Sequence, residues 1–143
     1  MRLLLDTNVV LDYLGVNEGF KDDAETIIEY AIVGDLIELV SASAITDIYY
    51  MARRKFKDSQ MAVNLIKDLR AYIKTLPVTD DDIGRAIDRG WKDFEDSVQY
   101  TVAETNGVDY IITRNVSDFE ENAIPVLTPR EFLEFYENLT EDQ

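Results

Sequence analysis

The chain has 143 residues, 46% of them apolar, which is enough for a packed core and too apolar for a disordered chain. It contains no cysteine and no histidine, which excludes disulfides, thiolate chemistry, Cys/His zinc sites and any histidine-based triad. A net charge of −15 argues against broad adhesion to nucleic acid or to an anionic membrane, but not against an acidic site neutralised by metal and rimmed by basic groups. Carboxylates, hydroxyls, amides, lysines and arginines remain for chemistry. Hard cations with oxygen ligands, Mg²⁺ or Mn²⁺, are the cofactors such a set suits. No apolar run approaches the roughly 20 residues of a membrane span. Asp6 and Asp12 interrupt what would be the apolar region of a signal peptide. One soluble, cytoplasmic domain over residues 1–143 is expected.

Leu3, Leu4 and Leu5 form an apolar run without alternation, the pattern of a strand buried on both faces of a parallel sheet. Asp6 ends it. Thr7 or Asn8 is expected to cap a helix through Val9, Val10, Leu11 and Leu14. Helical spacing recurs from Phe20 to Val33, with Gly34 as the stop. Ile37–Val40 reads as a second strand, Ser41 and Ser43 as caps, and a helix follows to about Arg54. Ser59–Lys74 is predicted as an amphipathic helix and Leu76–Val78 as a third strand. Helices are predicted over Asp80 to Gly90 and Asp93 to Asn106, the second stopped by Asn106-Gly107. Asp109–Ile112 is a fourth strand, followed by a polar loop to Asp118. Ile124–Leu127 is a fifth strand that Pro125 confines to a sheet edge. Thr128, Pro129 and Glu131 make a capping box for a last helix. Short apolar strands alternating with helices imply an α/β fold, a parallel sheet with helices on both faces.

This topology brings four acids to one edge of the sheet. A helix after a strand starts at the strand's C-terminal edge, and a helix that precedes the next parallel strand starts there too. Asp6, Asp47, Asp96 and Asp118 all fall at that edge, where open α/β sheets bind ligands. Crowded carboxylates raise one another's pKa, and a divalent cation relieves that repulsion. Such a site suits phosphodiester cleavage. Each residue also has an ordinary use: Asp6 as an N-cap, Asp96 as an acid in a helix's first turn, Asp118 as a turn residue. Asp12, Asp93 and Glu95 compete with Asp47 for a place near the metal, with Glu95 expected at the rim. Asn8 and Thr113 are either supports for the carboxylates or ordinary caps. Arg53-Arg54-Lys55 with Lys57 is the densest basic patch, beside Tyr49, Tyr50 and Phe56. It reads as a solvated helix end before an RNA-facing rim.

The segment Leu3-Leu4-Leu5-Asp6-Thr7-Asn8-Val9 resembles the opening motif of the PIN domain, the nuclease fold of VapC-type toxins. Asp96 through Ala103, then Ile111-Ile112-Thr113-Arg114-Asn115-Val116-Ser117-Asp118-Phe119, resembles its closing motif. The resemblance implies a three-layer α/β/α sandwich about a mainly parallel, five-stranded sheet. It also implies a Mg²⁺- or Mn²⁺-dependent endoribonuclease, a homodimer, and the toxin role in a type II toxin–antitoxin pair, with RNA as substrate and an antitoxin as protein partner. Asp6, Asp96 and Asp118 match three of the family's four acidic positions and are the implied metal ligands. The fourth, usually a glutamate after strand two, falls on Asp47, one methylene shorter. Asn8, Thr113 and Asn115 match polar supporting positions.

Two other readings accompany this one. The shorter acid at Asp47 and the strong negative charge suit a PIN-like domain that binds RNA or protein without cutting. A phosphoaspartyl enzyme also places an aspartate after strand one, but Asp6-Thr7-Asn8 lacks a paired acid and the later strand tips offer Arg114 and no lysine.

Overall fold

A computed structural model describes residues 1–142. The strands are β1 (Arg2–Leu5), β2 (Ile37–Ser41), β3 (Lys74–Leu76), β4 (Tyr110–Ile112) and β5 (Val126–Leu127). They pair in the order β3-β2-β1-β4-β5, every neighbour parallel. β1 is therefore the central strand. Leu3, Leu4 and Leu5 are fully buried because both faces of that strand are covered. Leu3 and Leu5 enter one core, and Leu4 enters the other with Leu39 and Ile111. The chain moves outward from β1 to β2 and β3, then crosses back to β4 and β5 on the far side. The C-terminal ends of β1 and β4 flank that reversal, where a parallel sheet leaves a crevice.

The helices are α1 (Thr7–Tyr13), α2 (Lys21–Ile32), α3 (Ala42–Phe56), α4 (Ser59–Leu69), α5 (Asp80–Arg89), α6 (Phe94–Thr105) and α7 (Pro129–Glu141). α1 to α4 and α7 cover one face of the sheet, α5 and α6 the other. The α/β/α layering expected from the strand–helix alternation is present. The Thr128–Glu131 capping box forms, with Pro129 in the first turn, and β5 is the edge strand that Pro125 requires.

Several boundaries differ from the sequence expectation, among them β5, which begins at Val126 instead of Ile124 and leaves Pro125 just before the strand. Asp6 itself caps α1, accepting from the Thr7 backbone N–H, in place of Thr7 or Asn8. α4 ends at Leu69 instead of running to Lys74, and β3 starts two residues early, at Lys74. The helical period misleads there because Ile73 is buried after the helix has ended. The intervening turn brings Thr75 opposite Val40, and the resulting strand pair outweighs one more helical turn. The loop after β4 also closes into a 3-10 turn, Val116–Asp118.

Candidate active site

Asp6 stands at the tip of β1. Its backbone N–H donates to the Ile112 carbonyl of β4 at 2.9 Å, which ties the residue to both central strands. Four donors hold its carboxylate. The Thr7 N–H (2.7 Å) and Gln99 Nε2 (2.8 Å) reach Oδ1, while the Thr113 hydroxyl (2.7 Å) and Asn8 Nδ2 (3.2 Å) reach Oδ2. Four hydrogen bonds occupy all the acceptor directions of a carboxylate. Asp6 is thus both a helix cap and the best-anchored acid of the sheet edge.

The other acids arrive from three elements. Asp93 is the N-cap of α6, and its Oδ1 accepts from the Asp96 N–H at 3.0 Å. That cap fixes the first turn of α6, which carries Glu95 and Asp96. Asp47 lies on α3 and Asp118 at the end of the 3-10 turn. One cavity of about 360 Å³ is lined by Asp6, Asp47, Asp93, Glu95, Asp96 and Asp118, together with Asn8, Asn115, Tyr50 and Met51. No lysine or arginine lines it. One carboxylate oxygen each from Asp93, Asp96 and Asp118 lies within 4.8 Å of the others.

This crowding shows in the titration of two groups. Burial raises the Asp96 carboxyl to about 8, and repulsion from Asp6, Asp93, Asp118 and Glu95 adds to it. Partial desolvation raises the Glu95 carboxyl to about 7, and the charges of Asp47, Asp6 and Asp93 add to it. At neutral pH Asp96 is therefore mostly protonated and Glu95 about half so, and a bound cation would displace those protons. The donor set is oxygen only, which fits a hard divalent cation.

All four acids expected at the sheet edge line one cavity. Asn8 links Asp6 to Thr113 (3.3 Å), and its Oδ1 accepts from the Arg114 N–H at 3.2 Å. Thr113 is fully buried and accepts from the Asn115 N–H. Asn115 lines the cavity, and Glu95 is exposed at its rim. Of the competitors, Asp93 joins the cluster. Asp12 does not: it is buried and bound by Arg114 Nε at 2.7 Å and by Asn17 Nδ2 at 3.0 Å. Sequence reasoning missed Gln99. The available signal was its place three residues after Asp96, on the same face of α6.

An open parallel sheet with an acidic crevice at its reversal point defines an α/β protein whose ligand-binding edge gathers carboxylates suited to a hard cation. Residues 2–117 match the PIN domain family, and the chain belongs to that family. It is similar to Ribonuclease VapC1 of Aquifex aeolicus, 27% identical over 146 aligned positions that cover 96% of this chain and 97% of the relative. Among solved structures it is similar to a toxin–antitoxin complex from Klebsiella pneumoniae, with TM-score 0.65 and 20% identity over 89% of this chain and 97% of the other. It is also similar to VapC20 of Mycobacterium tuberculosis, a sarcin-ricin loop cleaving toxin, with TM-score 0.59 and 15% identity over 76% and 86% of the two chains.

Proposed function

We propose that this protein is a metal-dependent endoribonuclease, acting as a single cytoplasmic domain and as the toxin of a toxin–antitoxin pair. The observation that carries the reading is the Asp93–Asp96–Asp118 cluster beside Asp6, at the sheet edge of a PIN domain. Nearly end-to-end similarity to a ribonuclease supports the substrate class. Similarity to a chain from a toxin–antitoxin complex supports an antitoxin partner. A homodimer is the assembly this reading includes.

Asp96 and Asp118, with Asp93 and Asp6 beside them, would hold a divalent cation such as Mg²⁺ or Mn²⁺. When bound there, such a cation would lower the pKa of a water and offset charge on the scissile phosphate. Asp6 is fixed by its four donors, so its charge stays in place without reorganisation. Asp47 and Glu95 both line the crevice, and the charge of Asp47 contributes to raising the Glu95 carboxyl to about 7.

The test is cleavage of single-stranded RNA with Mn²⁺, with and without chelator, by wild type and Asp6→Asn. Cleavage that needs the metal and falls at least 100-fold in the variant is expected. Equal cleavage by both proteins refutes the site. A wild type that binds Mn²⁺ and RNA but does not cut establishes the non-cleaving reading instead.

A further inference from the structure

A second groove leaves the acidic crevice along α3. Tyr50 and Met51 line both cavities, and the groove continues to Arg53, Arg54 and Lys57 with a volume of about 430 Å³. No acid lines it. The neighbouring Lys55 is taken by Glu18 at 3.6 Å, but Arg53, Arg54 and Lys57 form no ion pair among the described residues. Three uncompensated cations in one groove stand out in a chain of net charge −15. Tyr50 is 62% exposed, packed edge-on against Tyr49 at a centroid distance of 5.4 Å, so a flat ring faces solvent at the junction of the two cavities.

Lys57 adds an independent point. It sits past the last turn of α3 in the left-handed region, φ 54°, and is the one non-glycine residue with positive φ among the described residues. Glycine fits that position without strain. A lysine there puts a positive charge at the end of the groove against the local backbone preference.

We propose that this groove is the track for single-stranded RNA on one side of the cut. Arg53, Arg54 and Lys57 bind phosphates flanking the scissile one, and Tyr50 stacks on a base beside the crevice. The inference rests on the ribonuclease reading above. Its physical reason is electrostatic. The crowded carboxylates of the crevice repel a polyanion, and a divalent cation would offset that only at the scissile position. The strand needs further cations where it leaves, and α3 supplies them within about 15 Å of Asp47, ten residues at 1.5 Å each. Single-strand sites combine cationic grooves with exposed aromatic faces in this way. An acidic protein segment is the other occupant such a groove suits, and the experiment separates the two.

Binding of a fluorescein-labelled single-stranded RNA is measured by anisotropy over a range of NaCl concentrations, with Mn²⁺, in the Asp6→Asn background to prevent cutting. The combined variant Arg53→Gln, Arg54→Gln, Lys57→Gln is expected to lower affinity and flatten the log–log salt slope by about 2, at ~0.7 for each phosphate that no longer meets a cation. Tyr50→Ala is expected to weaken binding about fivefold or more with the slope unchanged. Lys57→Gly is expected to melt no lower than its parent while binding RNA more weakly, which separates the charge from folding. Lys67→Gln, Arg70→Gln, Lys74→Gln changes net charge equally, away from the groove, and is expected to keep the parent slope. Equal slopes for the two triple variants refute the track. RNA binding unchanged in the groove variant does so too, and assigns the groove to a protein partner. Wild-type cleavage is assayed in parallel. Cleavage with no groove effect leaves the ribonuclease reading intact and overturns only the track; no cleavage and no RNA binding overturns both.

Discussion

Glu38 is the clearest electrostatic anomaly outside the crevice. It lies on β2 opposite Leu3, is 1% exposed, and neither carboxylate oxygen has a hydrogen-bond partner. Burial raises its carboxyl to about 9, and the nearby Ala31 backbone offsets only part of that. The acid is therefore protonated in the fold at neutral pH, while the unfolded chain ionises near 4.5. A raised carboxyl pKa means that stability is complete below 4.5 and is lost as pH climbs towards 9. At pH 7 the gap is about 2.5 pH units, or roughly 3 kcal/mol at 1.36 kcal/mol per unit. Glu38→Met keeps a similar unbranched shape and removes the titration. Urea unfolding followed by circular dichroism, from pH 5 to pH 8, compares the two proteins. The variant is expected to gain on wild type steadily with pH, by about 3 kcal/mol at pH 7. Because wild type and variant share the crevice acids, their difference isolates Glu38. Parallel stability curves would refute the reasoning, since they require Glu38 to ionise alike in both states.

Two further outcomes follow from named side chains. Gln99→Met removes one of the four donors on Asp6 and a buried amide whose Oε1 has no partner. RNA cleavage with Mn²⁺ is expected to fall about 10- to 100-fold, the scale for residues that orient a metal site, with the melting temperature nearly unchanged; a fall in both measures alike would show a packing role only. Arg114→Ala leaves Asp12 buried without its cation and removes the guanidinium stacked 4.1 Å above the Phe20 ring. Chemical unfolding is expected to register a loss of about 3–5 kcal/mol. Adding Asp12→Asn should recover much of it, and additive losses in that cycle would show that the pair is not coupled.

The fold was legible because its signals are local and agree with one another. Three consecutive leucines mark a strand covered on both faces, Thr128 and Glu131 mark a helix start, and Pro125 marks an edge. Once the strands are taken as parallel, chain order alone brings Asp6, Asp47, Asp96 and Asp118 to one edge, and all four line the cavity. The end of α4 was not legible, because Ile73 keeps the apolar period after hydrogen bonding has passed to the turn. Burial and pairing were also out of reach of the sequence. Asp12 and Asp93 are equally acidic in the sequence, yet Arg114, 102 residues from Asp12, draws it out of contention while capping geometry turns Asp93 inward. Gln99, 93 residues from Asp6, meets it only when α6 packs beside β1. Glu38 reads as one more surface charge until two neighbouring strands and the helices above them enclose it. The amino-acid pattern determined the layers, the strand tips and which acids share an edge, because those depend on periodicity and chain direction. Tertiary structure decided which acids sit within 4.8 Å, which are neutralised by cations and which hold a proton, because those energies depend on distance and solvent exclusion.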